Sequence, residues 1–105
     1  MTEFDPEKFE DKYEHYFPQL QQAYRQAFER MNDAYDSELV HAIDQAILAE
    51  SEPFYEGEGE FRIELPADPL EQLSGVVVDE QKAEAVLETY IGEIESELQA
   101  VFGFD

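Results

Sequence analysis

A small α+β fold is predicted by three features of the chain. Apolar residues at Ala83, Val86/Leu87, Tyr90/Ile91, Ile94, Leu98 and Val101/Phe102 recur in steps of three and four, one stripe of a helix over 79–102. Phe61, Ile63 and Leu65 alternate with Glu60, Arg62 and Glu64, the period of a half-buried strand. Gly57-Glu58-Gly59 separates that strand from Phe54-Tyr55-Glu56, which makes a β-hairpin over 54–65. The predicted architecture is three or four helices packed on a small antiparallel sheet, in a single domain spanning 1–105.

Each element has its own signals. Asp5-Pro6-Glu7 opens the first helix, with Asp5 as N-cap and Pro6 at its first position. Phe9, Tyr13 and Tyr16/Phe17 form its inner stripe. Pro18 lacks an amide donor, so either one helix kinks there or, the favoured reading, a second begins with Pro18 at its first position and runs through Leu20, Tyr24, Ala27/Phe28 and Met31. Residues 32–36 read as a connector. Asp36 or Ser37 then caps a helix that turns Leu39, Val40, Ile43, Ala46 and Ile47 inward and ends near Pro53. After the hairpin, Asp68-Pro69-Leu70-Glu71 suits one helical turn. Residues 75–78 either add a third strand or lead into the last helix. That helix has Asp79 as N-cap and Gly103 just past its end. At about 35 Å it can span the domain and should touch both the sheet and the N-terminal helices.

Charge is the most informative bulk property. The chain carries 27 acidic and 6 basic residues, a net charge of −21. The carboxylates run along its whole length. Like charges at that density oppose compaction in dilute buffer, and molar salt shortens the screening length to ~3 Å. This reads as adaptation to a salt-filled cytoplasm. An acidic mimic of nucleic acid, or an acidic partner for a basic protein, is the competing reading. There is no basic footprint for nucleic acid and no apolar run long enough for a membrane. The absence of cysteine excludes disulfides, thiolate metal sites and a thiol nucleophile. The acidic N-terminal stretch has no signal-peptide character, so a cytoplasmic location is expected.

Candidate chemistry is sparse. Glu38 and His41 are three apart on a helix, as in carboxylate-bridged metal bundles, and Asp44 follows three later. The other histidine, His15, has Lys12 where a second Glu would be needed. His41 is therefore read as a core-edge histidine bonded to a carboxylate such as Asp44, with Glu38, His41 and Asp44 as the metal candidates. Glu56, Glu58 and Glu60 alternate with glycines and read as a solvated turn. No serine lies in a nucleophile elbow, and the glycine pair precedes a strand, so no phosphate loop or cofactor site is expected. Catalytic residues are not assigned. The aromatic series Phe4, Phe9, Tyr13, Tyr16, Phe17, Tyr24, Phe28 and Tyr35 is dense for a domain this size. Part of it should form core and part a homodimer or partner contact.

The segments Phe4-Asp-Pro-Glu-Lys-Phe-Glu-Asp-Lys-Tyr, Tyr35-Asp-Ser-Glu-Leu-Val-His-Ala-Ile-Asp-Gln and Ser51-Glu-Pro-Phe-Tyr-Glu-Gly resemble a family of short acidic haloarchaeal proteins of unknown function. The resemblance implies an environment and no activity. The function expected is a non-enzymatic interaction or regulatory module. The alternative is a small-ligand- or metal-binding protein, or an enzyme, with its site near His41.

Overall fold

Tyr90, Ile94 and Leu98 are completely buried along one side of the last helix, α5 (Glu80–Val101), with Ala83, Val86 and Leu87 continuing the line. The computed structural model describes residues 4–73 and 79–104. In it α5 lies chiefly against α3 (Phe17–Ala34). The facing stripe on α3 is Leu20, Ala23, Ala27 and Met31, and its two alanines allow the helices to approach closely. Asp79 caps α5, its carboxylate accepting from the Gln81 amide at 2.9 Å, and Gly103 follows with φ +82°. Both ends thus match the sequence reading.

The N-terminal segment departs from it. One helix to Phe17 was predicted, but there are two short ones, α1 (Pro6–Phe9) and α2 (Lys12–His15), separated at Asp11. That break rotates the chain, so Lys12 points inward where a continuous helix would turn Tyr13 in. Tyr13 is left 55% exposed. The second break falls at Tyr16, and Pro18 lies in the first turn of α3. The end of α3 also differs. The predicted connector over 32–36 shrinks to Tyr35-Asp36, because the Tyr35 amide closes one more turn on the Met31 carbonyl at 2.9 Å. Asp36 then caps α4 (Ser37–Ala46), accepting from the Glu38 amide at 3.0 Å. Leu39, Val40 and Ile43 are buried on α4, and a 3₁₀ turn (Leu48–Glu50) extends its path with Leu48.

The hairpin is β1 (Glu52–Gly57) against β2 (Glu60–Glu64), antiparallel, with Pro53 opposite Ile63 and Tyr55 opposite Phe61. It starts two residues earlier than predicted, so Pro53 lies inside a strand. Among the described residues the sheet has two strands, so Pro53 lies on an edge strand, where a missing donor is tolerated. Three successive positive-φ residues, Gly57, Glu58 and Gly59, make the turn, and a bulge between Tyr55 and Gly57 absorbs its geometry. Phe61 and Ile63 face the core, as the alternation required. The turn at Pro69–Gln72 is 3₁₀, and Asp68 precedes it in the left-handed region without capping it. The candidate strand at 75–78 lies outside the described residues.

Much of the aromatic surplus is internal. The Phe4 ring is the hub of a cluster, with ring centroids 4.7 Å from Tyr55, 4.9 Å from Phe102 and 5.3 Å from Phe104. Phe9, Tyr16 and Phe61 complete it. The Tyr16 hydroxyl accepts from the Asp5 amide at 3.0 Å, so this buried ring keeps its polar end satisfied.

One carboxylate on α5 sits against the hairpin. Glu95 accepts from the Ile63 backbone, but partial burial raises its pKa, and nearby Glu60 raises it further. A carboxyl whose folded pKa is raised adds stability below its unfolded pKa and loses it as pH climbs through the folded value. Glu95→Gln keeps an acceptor and removes the charge. Its melting temperature should therefore exceed the parent's at pH 7, with the difference vanishing near pH 3. Thermal melts at both values check this.

Candidate functional site

The three metal candidates do not converge. The His41 imidazole, on the exposed side of α4, has Nδ1 2.8 Å from the Ser37 carbonyl, one turn back, and so donates to it. It meets the Phe28 ring edge-on at 4.9 Å. The carboxylate predicted as its partner points elsewhere: Asp44 accepts from the Tyr90 hydroxyl at 3.3 Å. Burial, with Asp44 adding to it, raises the Tyr90 pKa. Glu38 is exposed in the first turn of α4. Among the described residues no three His, Asp or Glu side chains gather as a metal-holding group. The hairpin acids also separate. Arg62 donates to Glu56 and to Glu64, each at 3.1 Å, which leaves Glu58 at the turn and Glu60 facing water.

What the fold does assemble lies where α2, α3 and the start of β1 meet. Lys12 is 3% exposed, a rare state for lysine. Its Nζ donates to Glu52 Oε2 at 2.8 Å and lies 5.0–5.4 Å from the ring centroids of Phe9, Tyr13 and Phe54. Three ring faces and one carboxylate replace its water shell. The Arg62 guanidinium lies 4.9 Å from the Phe54 ring. Sequence reasoning missed both Lys12 and Glu52. A lysine in a charged stretch carries no signal of burial, and its partner is 40 residues away.

Beside this box runs a groove of about 210 Å³ lined by Tyr13, Phe17, Leu20, Tyr24, Leu48 and Pro53, among others. Phe17 is 46% exposed on its rim. Ser51 Oγ donates to the Leu48 carbonyl at 2.6 Å and accepts the Tyr24 hydroxyl at 3.2 Å. Burial pushes the Tyr24 phenol up to about 12, against the Ser51 hydrogen bond and with small additions from Tyr13 and Glu52. Burial and Glu52 also raise Tyr13. Both phenols are therefore neutral donors at physiological pH. The groove offers apolar area with hydroxyls at its edge, and no nucleophile beside a base.

Among the described residues no helix is long and apolar enough to cross a membrane. Comparison with curated proteins and with solved structures finds no match. The sequence does match, over residues 1–105, the model of a family of unknown function (DUF5783), and the protein belongs to that family.

Proposed function

We propose that this protein is a non-enzymatic interaction or regulatory module of a salt-rich cytoplasm, with the aromatic groove as its contact surface. The observation that carries this is the exposure of Tyr13 and Phe17 beside an apolar groove on a chain whose net charge is −21. Large aromatics held half in water by a rigid frame are the usual anchors of protein interfaces. The groove is smaller than the ~300 Å³ at which small-molecule pockets begin, which favours a protruding side chain from a protein over an enclosed ligand. In high salt, contacts between exposed charges are screened. An interface that works there must rest on apolar area and hydrogen bonds, and this groove supplies both.

The test is co-purification in 2 M KCl. The tagged protein should retain a stoichiometric polypeptide, of its own or another chain. Phe17→Ser, at an exposed position, should release it by tenfold or more while leaving the circular dichroism unchanged. Equal retention by parent and variant would remove the groove from consideration.

A further inference from the structure

The 27 carboxylates are spread over the chain with one long gap: residues 15–28 contain none. That gap covers the end of α2 and the first two-thirds of α3. Its outward side presents Pro18, Gln21, Gln22, Arg25 and Gln26 along an open concavity of about 820 Å³. Gln21 and Tyr24 line both this concavity and the aromatic groove, so the two form one continuous surface. The other faces differ. The outer side of α5 carries Glu80, Glu84 and Glu88, all exposed, and the hairpin carries Glu56, Glu58, Glu60 and Glu64. Two molecules of charge −21 meeting on those faces would oppose carboxylate to carboxylate.

We propose that the occupant of this surface is a second copy of the chain, with the two α3 helices crossing antiparallel about a two-fold axis near Gln26. The inference rests on the interaction reading above and names its partner. A two-fold interface must be complementary to itself, and the outer stripe of α3 has that property in one direction only. Its second half bears Glu29 and Asp33, both exposed, and its first half bears no acid. Antiparallel pairing lays the acidic half of each copy over the carboxylate-free half of the other. Parallel pairing would stack Glu29 on Glu29. Glutamine amides donate and accept equally, so Gln22 and Gln26 can pair across the axis in either sense. Arg25 is 80% exposed, and among the described residues its only intramolecular partner is Glu29, at 3.4 Å. It is thus free to turn to the Glu29 of the second copy.

Sedimentation equilibrium in about 0.3 M KCl, where a screening length of roughly 6 Å still lets charges in contact act, tests this. The parent should be a dimer at micromolar concentration. The isosteric pair Gln22→Glu/Gln26→Glu, which keeps helix propensity, should weaken dimerisation at least tenfold. Gln22→Lys, which sets a cation opposite the second copy's acidic half, should not weaken it. Gln45→Glu/Gln81→Glu, the same chemical change on exposed positions elsewhere, should leave the dimer intact. A parent that is monomeric at 0.1 mM, which means a dimer Kd weaker than about 0.1 mM, overturns the proposal. So does a dimer indifferent to the α3 carboxylates. If the parent alone is monomeric but retains a different chain through Phe17, the second-copy inference fails and the interaction reading stands.

Discussion

Moved from molar KCl into about 10 mM salt at pH 7, this protein should lose most of its helical ellipticity and recover it when salt is restored. Its 21 net negative charges are spread over 6619 Å² of surface, one per ~315 Å² (6619 divided by 21), or about 18 Å apart. The screening length is ~30 Å at 0.01 M, ~10 Å at 0.1 M and ~3 Å at 1 M. Repulsion between neighbours is therefore nearly unscreened at the lowest salt and largely removed by 1 M. Native folds have a stability on the order of 5–15 kcal/mol, and self-repulsion at this density acts directly against it. Circular dichroism at 222 nm across a KCl series gives the answer. Screening alone places the midpoint near or below 0.1 M. A midpoint above 1 M would mean that cation binding to the carboxylates contributes as well. Full helicity at 10 mM would remove salt adaptation as the reason for the charge. Lowering the pH toward the carboxylate range should rescue the fold at low salt by the same logic.

The Lys12–Glu52 pair should respond asymmetrically to removal of either partner. Lys12 is buried, whereas the Glu52 side chain is 46% exposed. In Lys12→Met the apolar stem still fills the space among Phe9, Tyr13 and Phe54, and Glu52 rehydrates where it stands. The cost should stay within about 1 kcal/mol. In Glu52→Ala an ammonium is left inside a ring of aromatics without its counter-charge. Breaking a buried pair in that direction costs about 3–5 kcal/mol. The lower end applies here, because the substitution also relieves repulsion from Glu64, directly opposite Glu52 in the ladder. About 3 kcal/mol corresponds to roughly 15 °C in melting temperature for a domain of this size. Thermal melts in 2 M KCl measure both. The double variant Lys12→Met/Glu52→Ala should melt close to Lys12→Met alone, since the charge that made the second change costly is gone. Equal costs for the two single changes would show that the aromatic box does not hold the ammonium away from water.

What the sequence disclosed divides along physical lines. Periodicity and caps act within a few residues. The stripe on α5, its Asp79 cap, the Asp5 and Asp36 caps and the alternation of β2 were therefore legible, and they gave the α+β architecture. Features set by partners far along the chain were not. The Glu38, His41, Asp44 spacing describes one face of a helix correctly. It cannot reveal that Tyr90, 46 residues on, draws Asp44 away. The break at Asp11 has no proline or glycine to announce it. It places Lys12 in a box completed by the hairpin, a reward invisible to a local window. The aromatic series was read as more than one core could hold. Tyr55, Phe61, Phe102 and Phe104 lie far from it in sequence, and Phe4, Phe9 and Tyr16 are consumed in meeting them. Tyr13, Phe17 and Tyr35 remain exposed, and the first two border the groove proposed as the contact surface.

The Phe4 hub has a consequence for the order in which the molecule forms. It ties a ring at the start of the chain to rings at positions 102 and 104, with Phe61 between them. Closing so long a loop is entropically unfavourable, and little of that cost grows with further length. The helical pairs α3–α4 and α3–α5 are held by other contacts and can form first. During synthesis the hub stays open until the end of α5 has cleared the ribosome tunnel. Until then the aromatic rings of the first helix and the hairpin lack the partners that complete their cluster, and the local helices carry the fold without it.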